Sequence, residues 1–449
     1  MARADVEFIL QWTRKEHILA VYPDPKAFEG LLQRAKAQAD ADIPRIQSFV
    51  GYRHALNHFS SVFRDEHYSV SFNLLQRRLQ WPGFLAIYID GGYQTVAGDG
   101  SVAAGQVISE CDGKPLNDWV DEIAPYEGSI PGLESTRWEV ASDIFRDVQS
   151  PFYKRPVSCT IGGKPVKLDW RPLEATAFAQ QRAKLLGDAD LIDHIEPLGA
   201  DGAWISLENI SPHTAREADA LKAVIAQLPS LRSKKLIVVD ERNNHGGPYE
   251  WFMAFLRGLY GTPYTDYYAR ARLQISAVYR TTPEILDAFG GPPENYKPQP
   301  ITMPPDGRTF DADNRLFSEA LAAHKPVLHS PVNSVQIPRP ASPPDNPVHA
   351  RVVVLTGYAC ASACIGLIDE MKRLPGVTQA GVNTFVDSRT GTPLSAKLPS
   401  GNGEISVPVM TRDGRVRGDN EPHTPDVLYH GNIQDTDAVK AWVLETFNP

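Results

Sequence analysis

The chain has 449 residues, of which 42% are hydrophobic and 22% are charged, and its formal net charge is -9. This length exceeds what one hydrophobic core usually holds, so we expect two to three domains, and the ordinary composition argues against disorder. The charge is spread without a basic stripe, which disfavours nucleic acid and anionic membranes as partners. No apolar run approaches the roughly 18 residues that a membrane-spanning helix needs.

The first residues, MARADVEFILQW, lack the apolar core of a signal peptide. Either the protein is cytoplasmic or its numbering begins after a removed leader. The four cysteines permit two disulfides and prove neither: Cys111, Cys159, Cys360 and Cys364. No group of cysteine and histidine has the spacing of a zinc site, so we expect no metal and no cofactor.

Residues 1 to about 63 follow helical periodicity in three amphipathic segments. The alternating residues from Tyr68 to Phe72 then predict a strand. His67 therefore lies at a helix-to-strand junction, where a side chain can face a cleft. A lone histidine is more often a surface or satisfied core residue, so the spacing by itself is a weak signal.

The pattern of short apolar runs and turn residues at 82–172 predicts a small β module. Asp90-Gly91-Gly92 separates two apolar runs and predicts a hairpin, and Gly162-Gly163 predicts another. A short helix is expected at 119–123. Two hairpins and a helix in one compact segment resemble a PDZ-like domain, which binds extended peptides at a sheet edge. A generic β module is the alternative.

A second block begins near residue 203 and alternates strands with helices. We expect strands at 204–207 and 235–240 and helices at 214–227 and 251–260. This order is typical of a parallel sheet, whose function lies at the carboxyl ends of the strands. After the second strand, Gly246-Gly247 allows close backbone approach to a ligand and offers N–H groups to an anion. A plain βα turn is the alternative.

Residues 262–348 are rich in proline, tyrosine and aspartate, and only one helix, at 313–324, is expected there. Such a long excursion is a lid, a substrate-binding element or a mobile segment. The next stretch, 350–369, predicts a buried strand, a turn of small residues and a helix start around Ser362. This arrangement can present a nucleophile, although an ordinary strand–helix junction would look similar. A strand at 376–384 and a terminal helix at 436–447 complete the chain.

Four segments in this order resemble the S41 peptidase family of C-terminal-processing proteases and their tricorn-core and retinoid-binding relatives. VVDERNNHGG is similar to the family's Asp-Leu-Arg-x-Asn-x-Gly-Gly strand end, and VVVLTGYACASAC resembles its nucleophile strand and helix start. GVNT matches the Gly-x-x-Thr that follows, and LPSGNGEISVPV with NEPHTPD matches the closing segment. The resemblance covers most of residues 50 to 445, except 262–348, and rests on order and spacing rather than on one motif.

The resemblance implies an α/β fold class: a ClpP/crotonase-like α/β core at 190–449, an inserted PDZ-like domain at 82–172 and a helical N-terminal region at 1–75. It also implies that Ser362 is the nucleophile. The backbone N–H of Ala363, together with that of Gly246 or Gly247, would form the oxyanion hole. Two donors from separate turns would then converge where negative charge develops during acyl transfer.

The general base is where the chain departs from many family members. The lysine expected shortly after GVNT is missing, and Lys397 lies too far along, in a segment that looks like a loop. A serine hydroxyl without a base is a poor nucleophile. The tricorn-like branch instead uses a histidine from the N-terminal side, and His67 occupies the matching place. In that branch a glutamate near the closing Pro-Asp motif takes part, and Glu421 is the nearest equivalent.

Cys360 and Cys364 lie on either side of Ser362, close enough to bridge, and Cys111 with Cys159 could join two strands of the β module. The alternative to disulfides is that all four cysteines are reduced thiols in the core. A cysteine could also replace Ser362 as the nucleophile, but this would abandon the position that the family uses.

The resemblance implies a serine peptidase acting on peptide or protein substrates, with homo-oligomer formation left open. A disulfide at the turn around Ser362 would indicate an oxidising compartment, so we expect a periplasmic or secreted location, with a cytoplasmic one as the alternative. An inactive binding protein on the same scaffold, or an amidase or esterase acting on a non-peptide compound, are the alternatives.

Overall fold

The computed structural model describes residues 1–73, 78–99, 102–187, 192–208, 210–268, 276–289, 311–329 and 342–447. The chain divides into two compact units. The first comprises Met1–Gly187 and Thr390–Thr411, and the second comprises Asp188–Arg389 and Arg412–Pro449. No helix in the described ranges is both long enough and apolar enough to cross a membrane.

The helices of the described ranges are α1 (Ala2–Glu16), α2 (Pro25–Asp42), α3 (Phe49–Ser61), α4 (Leu116–Glu127), α5 (Glu134–Val140), α6 (Ala175–Leu186), α7 (Ala215–Leu231), α8 (Tyr249–Tyr260), α9 (Thr262–Tyr268), α10 (Pro283–Ala288), α11 (Asp311–Ala322), α12 (Ala363–Met371) and α13 (Thr436–Phe447).

The strands of the same ranges are β1 (Ser69–Phe72), β2 (Arg78–Trp81), β3 (Phe84–Ile89), β4 (Gly92–Gly98), β5 (Ile108–Cys111), β6 (Lys114–Pro115), β7 (Ser158–Ile161), β8 (Lys164–Lys167), β9 (Arg171–Glu174), β10 (His194–Leu198), β11 (Gly202–Ser206), β12 (Leu236–Asp240), β13 (Ser276–Arg280), β14 (Val327–His329), β15 (Arg351–Thr356), β16 (Val377–Gly381), β17 (Thr390–Lys397), β18 (Gly403–Asp413) and β19 (Val427–Leu428).

The first unit opens with the three predicted helices, α1 to α3. Asp24 and Ser48 cap α2 and α3 by accepting the backbone N–H groups of Ala27 and Gly51. The apolar faces of the helices pack on an antiparallel sheet in which β18 pairs with β1 and with β17. Lys397 ends β17, so the prediction that it lies in a loop is wrong. Lys397 pairs with Glu404 of β18.

The β module of the first unit contains both predicted hairpins. β3 pairs with β4 through the Asp90–Gly91 turn, and β7 pairs with β8 through Gly162–Gly163. β5 pairs with β7, and the register places Cys111 opposite Cys159, which are joined by a disulfide. The predicted helix is present as α4. A PDZ-like identity for this module stays a prediction.

The second unit is built on a six-stranded sheet in the order β10-β11-β12-β15-β16-β19. All neighbours after β11 are parallel, while β10 runs antiparallel to β11. The predicted parallel sheet is therefore confirmed. Its central strands, β12 and β15, are nearly continuous apolar runs, as expected for strands covered on both faces. Helices α7, α8 and α12 contribute the apolar side chains that cover this sheet.

The excursion at 262–348 is more structured than predicted. Besides the expected helix, α11, it contains α9, α10 and an antiparallel pair of strands, β13 and β14. Short elements within proline-rich sequence give little periodic signal, so the pattern did not reveal them. Of the proline-rich stretches, PPENYKPQPITMPPDG and the first five residues of IPRPASPPDNP lie outside the described residues.

Candidate active site

The turn between β15 and α12 holds Ser362 in an unusual backbone conformation. Its φ is 54° and its ψ is -116°, immediately before the first residue of α12. A positive φ in a residue other than glycine costs about 1–3 kcal/mol and persists only where the surrounding structure enforces it. Ser362 thus lies on a strained turn between a buried strand, which ends at Thr356, and a helix, which starts at Ala363. This strand–turn–helix arrangement is the local geometry of a nucleophile elbow.

A disulfide encloses this turn. Cys360 and Cys364 are joined on either side of Ser362, with their Cα atoms 5.4 Å apart, and both side chains are fully buried. Of the two states left open by the sequence, the structure has the oxidised one at both cysteine pairs. A disulfide sulfur offers no thiolate, so neither of these cysteines can act as a nucleophile in this state.

The glycine turn after β12 lies directly against the elbow. A Cβ atom built on Gly246 would come within 2.7 Å of both the carbonyl oxygen of Ala361 and the amide nitrogen of Ala363. It would also come within 3.0 Å of the Ser362 Cβ. Gly246 has a φ of +90°, which favours glycine as well. The structure therefore brings together three of the predicted site residues, Ser362, Ala363 and Gly246.

The hydrogen bonds of this turn distinguish between the two glycines. The Gly246 N–H donates to Asn244 Oδ1 at 2.8 Å and is therefore already engaged. The N–H groups of Gly247 and Ala363 have no acceptor within the described ranges. The backbone of Gly247 packs closely against Ile210, because a Cβ on Gly247 would lie 2.4 Å from the carbonyl oxygen of Ile210. Gly247 is thus the better candidate for the second oxyanion donor.

Asn244 and Glu241 are two residues of this turn that the sequence reasoning missed. Both are fully buried, and Asn244 Nδ2 donates to Glu241 Oε2 at 2.7 Å and to the carbonyl of Leu207 at 2.8 Å. The Asn244 carbonyl accepts the N–H of Ala361 from the elbow at 3.1 Å. Asn244 is part of the quoted Asp-Leu-Arg-x-Asn pattern, which was the available signal. Glu241 stands where that pattern has leucine.

His67 lies in the first unit, just before β1, and is held by its own loop. Its backbone N–H donates to Asp65 Oδ1 at 3.0 Å, and its Nδ1 lies 3.1 Å from Glu66 Oε1 and 3.7 Å from Asp65 Oδ1. The Thr390 hydroxyl donates to Asp65 Oδ2. Burial raises the pKa of Asp65, but His67 and Thr390 outweigh it, and the pKa falls to about 2. A carboxylate is therefore maintained beside the imidazole at neutral pH.

These same three side chains are the group of potential metal ligands in the described part of the chain. Asp65, Glu66 and His67 each offer one ligand atom, and these atoms lie within 4.8 Å of one another. Both Asp65 oxygens already accept hydrogen bonds, from His67 and from Thr390. These contacts orient His67 within its own loop.

Glu421 lies in the second unit with Ser362, on the loop before β19. Its side chain is exposed, and its Oε2 accepts the N–H of Gly418 at 2.7 Å within the same loop. The role of Glu421 in a catalytic constellation stays a prediction, as does the pairing of His67 with Ser362.

A charged cluster anchors the loop that carries Glu421. His423 Nε2 lies 2.7 Å from Asp369 Oδ1 on α12, and Arg417 donates to Asp369 and to Asp387. Burial raises the pKa of Asp369, but His423 and Arg417 lower it to about 2 overall. His423 and Asp369 are 54 residues apart, so no local pattern could have linked them. This cluster fixes the closing segment to α12, the helix that follows Ser362.

Together, these elements define an α/β fold in which a strained serine turn faces a glycine turn at one end of a parallel sheet. No family model matches the chain, and no curated protein matches it in sequence. The solved structures with a similar fold include mature CPAF complexed with lactacystin. The TM-score is 0.65 and the identity 15%, over 100% of this chain and 98% of that chain. Mature CPAF has a TM-score of 0.65 at 14% identity, over 100% of this chain and 97% of that chain. These likenesses show the fold, and they confirm the α/β class that the sequence resemblance implied.

Proposed function

We propose that the protein is a serine peptidase of the S41 type, which cleaves peptide bonds through an acyl-enzyme on Ser362. The observation that carries this proposal is the contact of the Gly246 backbone with the Ser362 elbow. A strained serine at a helix start, faced by a glycine turn with an unused N–H, is what acyl transfer requires. The fold shared with CPAF and the S41-like order of motifs support the same conclusion.

In this mechanism Ser362 Oγ attacks the substrate carbonyl carbon while its proton passes to His67. The resulting oxyanion accepts hydrogen bonds from the N–H groups of Gly247 and Ala363, each contributing about 3–4 kcal/mol. The C–N bond then breaks, and the leaving amine takes the proton from His67. Water then hydrolyses the acyl-enzyme ester on Ser362. It gives a proton to His67 while its oxygen attacks the ester carbonyl carbon, and the proton passes from His67 to Ser362 Oγ as the carboxylic acid product leaves.

In this mechanism His67 is oriented by acidic residues of its own loop. Glu66 lies 3.1 Å from Nδ1, and the ionised Asp65 lies 3.7 Å from it. Two acidic side chains on this face of the ring favour the tautomer with a proton on Nδ1, which leaves Nε2 free to accept. They also stabilise the imidazolium that forms during the reaction. In this arrangement Glu421 supports the loop before β19, where its carboxylate accepts the N–H of Gly418, and does not take the proton from Ser362.

We further propose a periplasmic or secreted location and a peptide or protein substrate. Two disulfides in one chain are typical of proteins that fold in an oxidising compartment. The β module at 82–172 would bind an extended stretch of the substrate at a strand edge, as a PDZ-like domain does. Homo-oligomer formation remains compatible with the proposal.

The test is covalent labelling by a fluorophosphonate probe, combined with digestion of fluorescent casein. Ser362→Ala should abolish labelling, and His67→Ala should slow both labelling and digestion by about 100-fold or more, the scale on which a general base contributes. Ser395→Ala and His58→Ala are matched controls, because these residues pair with Ser406 and Asp42 in the first unit. Both controls should keep the wild-type rates.

The outcomes separate the alternatives. A wild-type chain that is not labelled at Ser362 would refute the peptidase and favour a binding protein on the same scaffold. Labelling without digestion of casein or of a peptide library would favour an amidase or esterase. Full activity in His67→Ala would remove His67 from the role of general base.

A further inference from the structure

The buried carboxyl group of Glu241 is not used by the proposed reaction, yet it lies beneath the active-site turn. Its Oε2 accepts a hydrogen bond from Asn244 Nδ2 at 2.7 Å and lies 3.4 Å from Cys364 Sγ, which belongs to the disulfide around the nucleophile. Its Oε1 is buried and has no hydrogen-bond partner among the described residues. Burying an acid with one oxygen unpaired costs stability, so a residue of this kind calls for an explanation.

The charges around Glu241 favour its neutral form. Burial first, and then the nearby Asp193 and Asp240, raise the pKa of Glu241 well above its usual range. The neighbouring guanidinium of Arg242 does not offset this, because it is engaged in two contacts of 2.8 Å with Asp240. A neutral carboxyl still accepts a hydrogen bond through one oxygen, but it brings no negative charge beneath a site where an oxyanion must form.

Asn244 links Glu241 to the Gly246–Gly247 turn through hydrogen bonds. Its amide group donates to Glu241 and Leu207, which orients Oδ1 toward the N–H of Gly246 at 2.8 Å. With Gly246 fixed in this way, the next N–H, that of Gly247, is left for the substrate. The Asn244 backbone meanwhile holds Ala361 of the elbow. Asn244 therefore contacts both sides of the oxyanion hole, one through its side chain and the other through its backbone.

We propose that Glu241 is a positioning residue for the oxyanion hole, acting through Asn244 on the Gly246–Gly247 turn. This inference rests on the proposed acyl transfer at Ser362 and adds to it the residue that pre-organises the donors. It also explains why the chain has a costly buried acid where the quoted motif has leucine. Leucine fills the space but cannot accept the Asn244 N–H.

The experiment compares Glu241→Leu with Glu241→Gln, measured by the fluorophosphonate labelling rate and by p-nitrophenyl butyrate hydrolysis. In labelling, the Ser362 Oγ–P bond forms as the P–F bond breaks and fluoride leaves, so the probe also places an oxygen in the oxyanion hole. Glu241→Leu should lower kcat and the labelling rate about 10- to 100-fold with little change in KM, since a small misplacement of a donor has effects of this size. Glu241→Gln keeps the acceptor without the charge and should keep the wild-type rates.

Thermal unfolding distinguishes positioning from a merely structural role. Glu241→Leu removes a buried polar group with an unpaired oxygen, so its Tm should equal or exceed that of the wild type while its kcat falls. Asn243→Ala is the matched control in the same turn. Asn243 is buried and accepts a hydrogen bond from Gln434, away from the glycines, and this variant should keep the wild-type kcat.

Each outcome is decisive. Unchanged labelling in Glu241→Leu, or equal losses in Glu241→Leu and Glu241→Gln, would overturn the inference while labelling of the wild type at Ser362 upholds the proposed function. If the wild type is not labelled, the proposed function and this inference fail together. Should Glu241→Leu not fold, Asn244→Asp takes its place, because it keeps the Oδ1 acceptor but cannot donate to Glu241. Wild-type kcat in Asn244→Asp would likewise overturn the inference.

Discussion

Replacing Gly246 by alanine perturbs the proposed site at the point where the glycine turn meets the nucleophile elbow. The new methyl group would lie 2.7 Å from both the Ala361 carbonyl oxygen and the Ala363 amide nitrogen. Both atoms belong to the backbone, so the clash cannot be relieved by a side-chain rotation. Either the glycine turn or the elbow must move.

The size of the effect follows from two separate costs. Holding alanine at a φ of +90° costs about 1–2 kcal/mol, and overpacking against rigid neighbours adds about 1–3 kcal/mol. We therefore expect Gly246→Ala to lower the free energy of unfolding by about 2–5 kcal/mol. The displacement of the turn should also slow fluorophosphonate labelling of Ser362 by about 10- to 100-fold.

Gly376→Ala is the matched control for backbone strain. Gly376 has a φ of +85° in the same unit, but a Cβ there meets nothing within 4 Å. This variant should therefore show only the conformational cost, about 1–2 kcal/mol, and should label at the wild-type rate. Urea denaturation and labelling kinetics at a temperature below both transitions measure the two effects. Equal stability and equal labelling in the two variants would refute the close approach of Gly246 to the elbow.

Two further predictions concern the first unit. Glu127→Gln should lower the free energy of unfolding by about 3 kcal/mol, because it removes the buried charge 2.7 Å from Arg146 and leaves that guanidinium with Asp143 as its acidic partner. Glu122→Gln, at an exposed pair with Lys114, should cost less than about 1 kcal/mol, and a similar loss in both would contradict the buried-pair reasoning. Burial lowers the pKa of His17 to about 4, so its contribution to stability is complete above pH 6.5 and falls by about 3 kcal/mol as the pH drops to 4. His17→Asn should remove this slope from urea denaturation measured between pH 4 and 7, and an unchanged slope would show that other groups cause it.

Local patterns in the sequence determined most of the elements that position the site. The apolar run of β15, the small residues around Ser362 and the glycine pair after β12 each predicted their structure, because strands, turns and helix starts depend on residues close in the chain. The terminal helix was predicted with its observed bounds, Thr436–Phe447. The short elements within 262–348 and the helix α6 were not predicted, since their apolar periodicity is weak or brief.

The hydrogen bonds of the site could not be predicted in this way. The choice between Gly246 and Gly247 depends on whether the Asn244 side chain turns back toward the Gly246 N–H, and that orientation is set by Glu241 and Leu207. Leu207 precedes Asn244 by 37 residues. Likewise, the acidic neighbours of His67 in its own loop were visible in the sequence, but Thr390 beside Asp65 was not.

By itself, the sequence determined the order of elements, the parallel sheet and the serine and glycine turns, because each follows from periodicity or turn chemistry within a few residues. Only the tertiary structure decided which N–H groups are free, that the cysteines on both sides of Ser362 are joined, and that a buried acid supports the turn. These properties depend on contacts between segments far apart in the chain. Packing determines such contacts, and no local pattern records them.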